Sequence, residues 1–179
     1  MTQIANAYAK GFYDLAKDEG LTQNILEQLQ VLQEAFAGEP MFCRLLSTPS
    51  LSKEERLSVV DNSFRNKVHP YVLNFLKILT ERGYFAHFSD CCKAFRELYN
   101  DDHGILPVKA VTAVALTPAQ AEKLTAKLSA ITGKTVELIN KCDPDCLGGV
   151  CLDYDGKRVD GTVKKRLEDM ATLLKNTAI

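Results

Sequence analysis

The segment between Asp143 and Met170 restricts the fold more than any other part of the chain. Its turn residues and one short apolar run follow each other closely: Asp143-Pro144-Asp145, Gly148-Gly149, Val150-Cys151-Leu152, Asp155-Gly156 and Asp160-Gly161. An Asp-Gly pair between strand-like residues favours a tight hairpin turn, because glycine adopts positive φ without steric cost. The segment therefore predicts a strand, a tight turn, a second strand and a glycine hinge, followed by a basic amphipathic helix.

The N-terminal part of the chain has helical periodicity. Capping residues or prolines begin several of the apolar segments, and glycines follow several of their ends. We predict helices at residues 2–19, 22–37, a short piece from Pro40, a capped helix after Ser52, then Tyr71–Arg82 and 85–102. Because the connections are short, these segments predict a compact N-terminal six-helix bundle over residues 1–104.

The period of the apolar residues changes after Gly104. Residues 105–116 alternate as a strand requires, and Thr117-Pro118 begin a capped helix. Residues 135–140 predict another strand before the hairpin. Residues 105–179 are therefore expected to form a small β-α-β-β-α domain, so that the fold class is α plus α+β.

The first and fifth predicted helices have more apolar surface than a single core contact requires. Their apolar side chains cover more than half of the helix circumference, whereas a surface helix needs an apolar stripe of about 100°. One explanation is that the bundle itself buries such a helix on most sides. The other is that part of each arc receives a helix from another protein.

Length and charge exclude several classes of protein. The 179 residues are 46% hydrophobic and 25% charged, as in an ordinary globular protein of one large or two small domains. A formal net charge of −1 gives no overall attraction to nucleic acid or to an anionic membrane. No apolar run approaches the roughly 20 residues that span a bilayer, and the N-terminus has no secretory or organelle-targeting pattern. We expect a cytoplasmic chain that reaches a membrane only through partners, without direct insertion.

The six cysteines lack the paired spacing of a structural zinc site, and the three histidines are far in sequence from the last three cysteines. We expect reduced cysteines that act as small buried hydrophobes. Cys91 and Cys92 are adjacent on a predicted helix and should point in two directions, so we predict no disulfide between them.

No motif for catalysis or for a cofactor is recognisable. Gly148-Gly149 lacks the Gly-Lys-Ser/Thr of a phosphate loop, and its expected role is a bend or a close approach in the sheet. The aspartates of residues 143–160 superficially suggest calcium, but Lys164 occupies the position of the closing glutamate. No Ser-His-Asp or Cys-His arrangement follows from local spacing. We therefore expect no enzyme activity, cofactor, metal or small-molecule ligand.

A basic group near the C-terminus leaves three alternatives. Its members are Lys157, Arg158, Lys164, Lys165 and Arg166. Nucleic-acid binding is the least favoured, because only Tyr154 adds an aromatic residue and the rest of the domain is not basic. A solvated face is the most favoured, and an acidic partner helix comes second.

The C-terminal motifs resemble those of the delta subunit of bacterial F-type ATP synthases, called the oligomycin-sensitivity protein in mitochondria. The matching residues are Asp143, Pro144, Gly148, Gly149, Asp160, Gly161, Thr162, Lys164, Arg166 and Leu167. Tyr8-Ala9-Lys10 and residues 79–83 lie where the family has weaker N-terminal motifs. The departures are Gly11, Arg82, Cys142, Cys146, Cys151 and Lys165. Those in the C-terminal region leave the pattern of turns intact.

This resemblance implies a non-catalytic stator subunit. Such a subunit holds the catalytic head against the torque of the rotor, so that rotation is coupled to proton-driven ATP synthesis. In that family the N-terminal bundle binds the amino-terminal helix of an alpha subunit, and the C-terminal domain meets the b subunits of the peripheral stalk. The implied location is the cytoplasmic face of the cell membrane, as a peripheral protein. An unrelated helical adaptor is the alternative, and a nucleic-acid-binding protein is less favoured.

With this resemblance, the surplus apolar arcs are assigned to a groove for a partner helix. Its expected residues are Tyr8, Gly11, Leu15, Tyr71, Phe75 and Ile78. Gly11 would let another backbone approach closely, and tyrosines suit a partly wet rim. For Phe75 we expect that truncation to alanine lowers partner affinity with little loss of stability. The expected turn and cap residues of the C-terminal domain are Asp143, Gly148, Gly149, Asp160 and Gly161.

Overall fold

The structure, a computed structural model, describes residues 3–47, 51–167 and 169–170. Its contacts divide the chain into two compact units, Met1–Tyr99 and Asn100–Ile179. The division lies slightly before Gly104, where the sequence period changes. One unit is helical and the other contains a four-stranded sheet, so the chain has a mixed helical and sheet fold.

The first unit consists of helices joined by short connections. They are α1 (Gln3–Asp18), α2 (Thr22–Gly38), α3 (Pro40–Ser47), α4 (Lys53–Phe64), α5 (Pro70–Glu81), a 3₁₀ turn (Phe85–His87) and α6 (Phe88–Asp102). The predicted capping box of α4 is confirmed: Ser52 Oγ accepts from the Glu55 backbone N at 3.2 Å, and Ser52 N donates to Glu55 Oε2 at 2.8 Å. The helix predicted at residues 85–102 instead begins with the 3₁₀ turn, and its α-helical part starts at Phe88.

Aromatic rings fill the core of the first unit. Phe36 packs against Phe85 and Phe88, with ring centroids 5.3 and 5.1 Å away. Cys91 and Cys92 are free thiols, as the sequence predicts, and both side chains are buried in this core. Positions one residue apart differ by only about 100° on a helix, and the buried arc of α6 is wide enough for both. Burial raises the pKa of the Cys91 thiol to about 11 and also raises that of Cys92.

The second unit is built on a sheet with strand order β2-β1-β3-β4. Its elements are β1 (Ile105–Thr112), α7 (Pro118–Thr132), β2 (Thr135–Cys142), a 3₁₀ turn (Pro144–Cys146), β3 (Val150–Tyr154) and β4 (Lys157–Asp160). Strand β1 is parallel to β2 and antiparallel to β3, and β3 forms the predicted hairpin with β4. Residues 163–167 and 169–170 are helical. The predicted final helix extends beyond them, into residues outside the described part.

Strand β1 ends earlier than the predicted residue 116. Asn140 on the neighbouring strand explains the difference, because its amide oxygen accepts from Leu116 N at 3.0 Å. The same side chain donates to Ala110 O and to Thr112 Oγ1, at 3.0 and 2.9 Å. These bonds hold the end of the alternating segment as a loop before Thr117, whose predicted cap on α7 is confirmed.

None of the helices in the described part of the chain is both long and apolar enough to span a bilayer.

Candidate functional site

Helices α1 and α5 form the two sides of an open groove in the first unit. Its volume is about 440 Å³. It is lined by all six residues predicted to form a partner groove, namely Tyr8, Gly11, Leu15, Tyr71, Phe75 and Ile78, together with Ala7, Phe12 and Asn74. The structure therefore brings together residues that are more than 50 positions apart in the chain.

Two stacked phenylalanine rings form the floor of the groove. The Phe12 and Phe75 centroids are 4.4 Å apart, and their planes differ by only 6°. Phe12 also packs against Phe95 at 5.5 Å, and Phe95 against Tyr13 at 5.2 Å. Because the floor continues into the aromatic core, the groove is expected to keep its shape without a partner.

The expectation that Phe75→Ala causes little loss of stability is therefore wrong. Only 5% of its surface is exposed, and its ring is part of the core. Truncation to alanine would remove the stack with Phe12 and leave a cavity, which costs about 3–5 kcal/mol of stability for a buried phenylalanine. Leu15 and Ile78 are the exposed large aliphatic residues of the walls, with exposed fractions of 41% and 45%.

Contacts outside the groove hold its two walls in place. The start of α5 is capped by His69, whose Nδ1 accepts from the Tyr71 backbone N at 3.3 Å. Gln28 of α2 in turn accepts from His69 N at 2.7 Å, which ties the start of α5 to α2. On the α1 side, Tyr8 packs edge-on against Tyr84, with centroids 6.0 Å apart.

Sequence reasoning missed three of the lining residues, Ala7, Phe12 and Asn74. Ala7 and Phe12 were part of the apolar arc of the first helix, but the arc alone does not tell which of its residues face an opening. Asn74 is polar, so it does not belong to the apolar arc of the fifth predicted helix. Its position three residues after Tyr71 places it on the same side of α5, so helical spacing could have found it.

The turn residues of the second unit hold two backbone segments together. The Asp143 side chain accepts from Asp145 N at 3.1 Å. Gly161 N donates to Val150 O and Val163 N donates to Gly148 O, both at 3.0 Å. The segment that contains the glycine pair therefore crosses residues 161–163, which lead into the helical residues 163–167.

Asp160 forms a turn at this crossing. Its carboxylate accepts from Thr162 Oγ1 at 2.7 Å and from Thr162 N at 3.0 Å, and these bonds lower the pKa of Asp160. Thr162 rather than Asp160 caps the helical residues that follow, because its Oγ1 accepts from Lys165 N at 3.2 Å. The predicted helix start at Asp160-Gly161 is thus shifted by this turn.

The second unit also exposes several apolar residues near the same crossing. Val114 and Leu147, 78% and 70% exposed, line a cleft of about 680 Å³ at the end of α7 nearest Thr117. Gly148 also lines this cleft, and the position of a Cβ on it is 3.4 Å from Val163 Cγ2. The cleft therefore adjoins Val163, the first of the helical residues 163–167.

Those helical residues have an apolar stripe between basic borders. Val163, Leu167 and Met170 are all exposed, and at about 100° per residue they share one side. By the same geometry, Lys164 and Arg166 border the stripe on its two sides. The stripe and the cleft form the apolar surface of the second unit.

No group of three or more histidine, cysteine or acidic side chains within the described residues is arranged to hold a metal ion. The groove of the first unit and the apolar surface of the second are suited to binding rather than to chemistry.

Comparison with known proteins identifies the family. A family model described as the ATP synthase delta (OSCP) subunit matches residues 4–174. The chain belongs to this family. Among relatives named ATP synthase subunit delta, that of Alkaliphilus oremlandii is 32% identical over 167 residues, 93% of each chain. Those of Clostridioides difficile and Lacticaseibacillus casei are each 30% identical and match 93% and 96% of this chain, and 93% and 94% of their own.

A solved structure has a similar fold. A chain in the cryo-EM structure of the Toxoplasma gondii mitochondrial ATP synthase hexamer matches with a TM-score of 0.75 at 20% identity, over 97% of this chain and 98% of that one. The delta family consists of stator subunits of F-type ATP synthases. This chain is accordingly a structural subunit of such a synthase and is not catalytic by itself.

Proposed function

We propose that this stator subunit links the catalytic head to the peripheral stalk through a different surface on each unit, at the cytoplasmic face of the membrane. The N-terminal unit, a six-helix bundle, binds the amino-terminal helix of an alpha subunit in the α1–α5 groove. The C-terminal unit, a small β-α-β-β-α domain, binds the end of the b subunits. The observation that carries the proposal is that one open apolar groove, in a chain of this family, is lined by all six residues expected from the sequence.

The groove has the properties of a receptor for an amphipathic helix. Two helices form its walls, aromatic rings form its floor, and accessible aliphatic side chains stand at its edges. A docked helix buries its apolar face in such a groove through residues at i, i+3, i+4 and i+7. The rigid floor lowers the entropy that binding must overcome, because the receptor is already ordered.

The test is binding of a synthetic peptide with the amino-terminal sequence of the alpha subunit from the same organism, measured by calorimetry on the full chain. Leu15→Ala and Ile78→Ala should each weaken binding by about 1–2 kcal/mol, since both remove accessible apolar contact. Both variants should leave the free energy of unfolding within about 1 kcal/mol of the original value, because their side chains are half exposed.

Val31→Ala is the matched control, because Val31 is an exposed aliphatic residue of α2 that does not line the groove. It should bind the peptide as the unmodified chain does. Failure of the peptide to bind the folded chain, or equal binding by all three variants, would contradict the proposed site.

The apolar surface of the second unit supports the proposed contact with the stalk. Its stripe of Val163, Leu167 and Met170 is exposed and lies between basic residues, so it suits an amphipathic helix with acidic edges. Leu167→Ser should weaken binding to the soluble part of the b subunits, whereas Ile131→Ser on the exposed side of α7 should not. Steeply salt-dependent binding to nucleic acid, with no binding to b, would favour the nucleic-acid alternative instead.

A further inference from the structure

The two walls of the α1–α5 groove have the same residue spacing. On α1 the positions i, i+3, i+4 and i+7 counted from Tyr8 line the groove, and on α5 the same positions counted from Tyr71 do so. At i+4 both helices have a phenylalanine, Phe12 or Phe75, and these two rings stack on each other to form the floor. At i+3 the walls differ, because α1 has Gly11 and α5 has Asn74. These two residues each precede a stacked phenylalanine by one position.

Asn74 is a polar side chain in an otherwise apolar part of the wall. It is exposed, and its amide makes no hydrogen bond with any other residue in the described part of the chain. One turn before it lies Tyr71, and one turn after it lies Ile78. A helix docked over these residues would remove the Asn74 amide from water. An amide buried without a partner is costly, so a docked helix that offers a hydrogen bond is strongly preferred over one that does not.

The opposite wall has room for a close approach. A Cβ built on Gly11 would meet no atom within 4 Å, so the space above that position is open. A docked helix can therefore lie nearer to α1 at this level of the groove than at Tyr8 or Leu15.

We propose that Asn74 is a specificity-determining residue of the groove: it requires one hydrogen-bonding side chain in the otherwise apolar face of the docked helix, and so sets the register of that helix. The inference rests on the proposed function of the groove. In helical seams, a single polar residue selects one alignment because every shifted alignment leaves it unpaired. The apolar residues around Asn74 supply affinity without distinguishing between alignments that differ by one turn.

The experiment combines Asn74→Leu with a set of alpha-subunit peptides in calorimetric binding to the full chain. In each peptide one polar residue of the amino-terminal helix is replaced by alanine. With the unmodified chain, one replacement should lower affinity about tenfold, because it leaves Asn74 unpaired. With Asn74→Leu the same replacement should have little effect, so that the two changes are non-additive at one peptide position.

Asn6→Leu serves as the control, because Asn6 is exposed on α1 and does not line the groove. It should reproduce the peptide profile of the unmodified chain, and thermal unfolding should show that both variants are folded. Additive effects at every peptide position would overturn the inference while leaving the groove assignment intact. If the unmodified chain binds none of the peptides, the proposed function fails and the inference fails with it.

Discussion

Gly149 provides a direct test of the crossing in the second unit, where residues 148–150 contact residues 161–163. Its φ is +81°, and a Cβ at this position would lie 2.5 Å from Gly161 O and 3.0 Å from Thr162 Cα. Both neighbours are backbone atoms, so no side-chain rotation can relieve the overlap. The substitution Gly149→Ala must therefore displace either the start of β3 or the backbone at Gly161 and Thr162.

The expected loss follows from two contributions. An alanine held in the left-handed region costs about 1–2 kcal/mol relative to glycine. Separation of the two segments also weakens the bonds from Gly161 N to Val150 O and from Val163 N to Gly148 O, each 3.0 Å long. At about 1 kcal/mol for each bond, the total loss in the free energy of unfolding is about 3–4 kcal/mol. That is a large part of the stability of a small domain, which is about 5–15 kcal/mol.

Gly156→Ala is the matched control. Gly156 has a similar φ of +69°, but a Cβ there would meet no atom within 4 Å. It should lose only the conformational contribution of about 1–2 kcal/mol. Urea unfolding followed by circular dichroism measures both variants under the same conditions. Equal losses would refute the reasoning, because the close approach to Gly161 would then contribute nothing.

Four further predictions test other parts of the chain. A chain that ends at Asp102 should be soluble, helical and cooperative in thermal unfolding, and an aggregated or molten product would contradict independent folding of the first unit. Cys151→Val should change the free energy of unfolding by less than about 1 kcal/mol, because valine roughly keeps the volume and apolarity of the buried side chain. Stoichiometric zinc in protein purified without added metal would contradict the expectation of reduced, metal-free cysteines. Gly11→Ala should raise the free energy of unfolding by up to about 1 kcal/mol, because glycine is less favourable than alanine in a helix and the added methyl group meets open space. The hydrogen bonds from Thr162 lower the pKa of Asp160 in the folded chain. The ionised Asp160 therefore stabilises the folded state above its usual pKa, and this stabilisation is lost as the pH falls through the lower pKa of the folded state. Between about pH 5 and pH 3, the free energy of unfolding should fall less for Asp160→Asn than for the unmodified chain.

Short-range signals were sufficient for most of the secondary structure. The caps at Ser52 and Thr117 and the hairpin turn at Asp155-Gly156 depend on residues only a few positions apart, and the structure confirms each of them. The end of β1 could not be predicted in this way. It depends on the Asn140 side chain, which reaches the loop from another strand.

The motifs of the C-terminal region were sufficient for the family, because turns and close backbone contacts restrict which residues can occupy them. Gly149 illustrates the reason: its contact with Gly161 leaves no space for a side chain. Such residues keep a recognisable spacing in the sequence even where the cysteines around them depart from the family pattern.

The groove shows what only the tertiary structure decided. Helical periodicity identified two helices with wide apolar arcs, but it could not tell which part of each arc faces the core. The Phe12–Phe75 stack decides this, because it turns Phe75 into the floor and leaves Ile78 accessible on the wall. Helical spacing places Asn74 on the same side of α5 as Tyr71, but only the structure shows that this side lines an opening. An amphipathic pattern depends on neighbours along one helix, whereas the open side of a groove depends on contacts between helices that are far apart in the sequence.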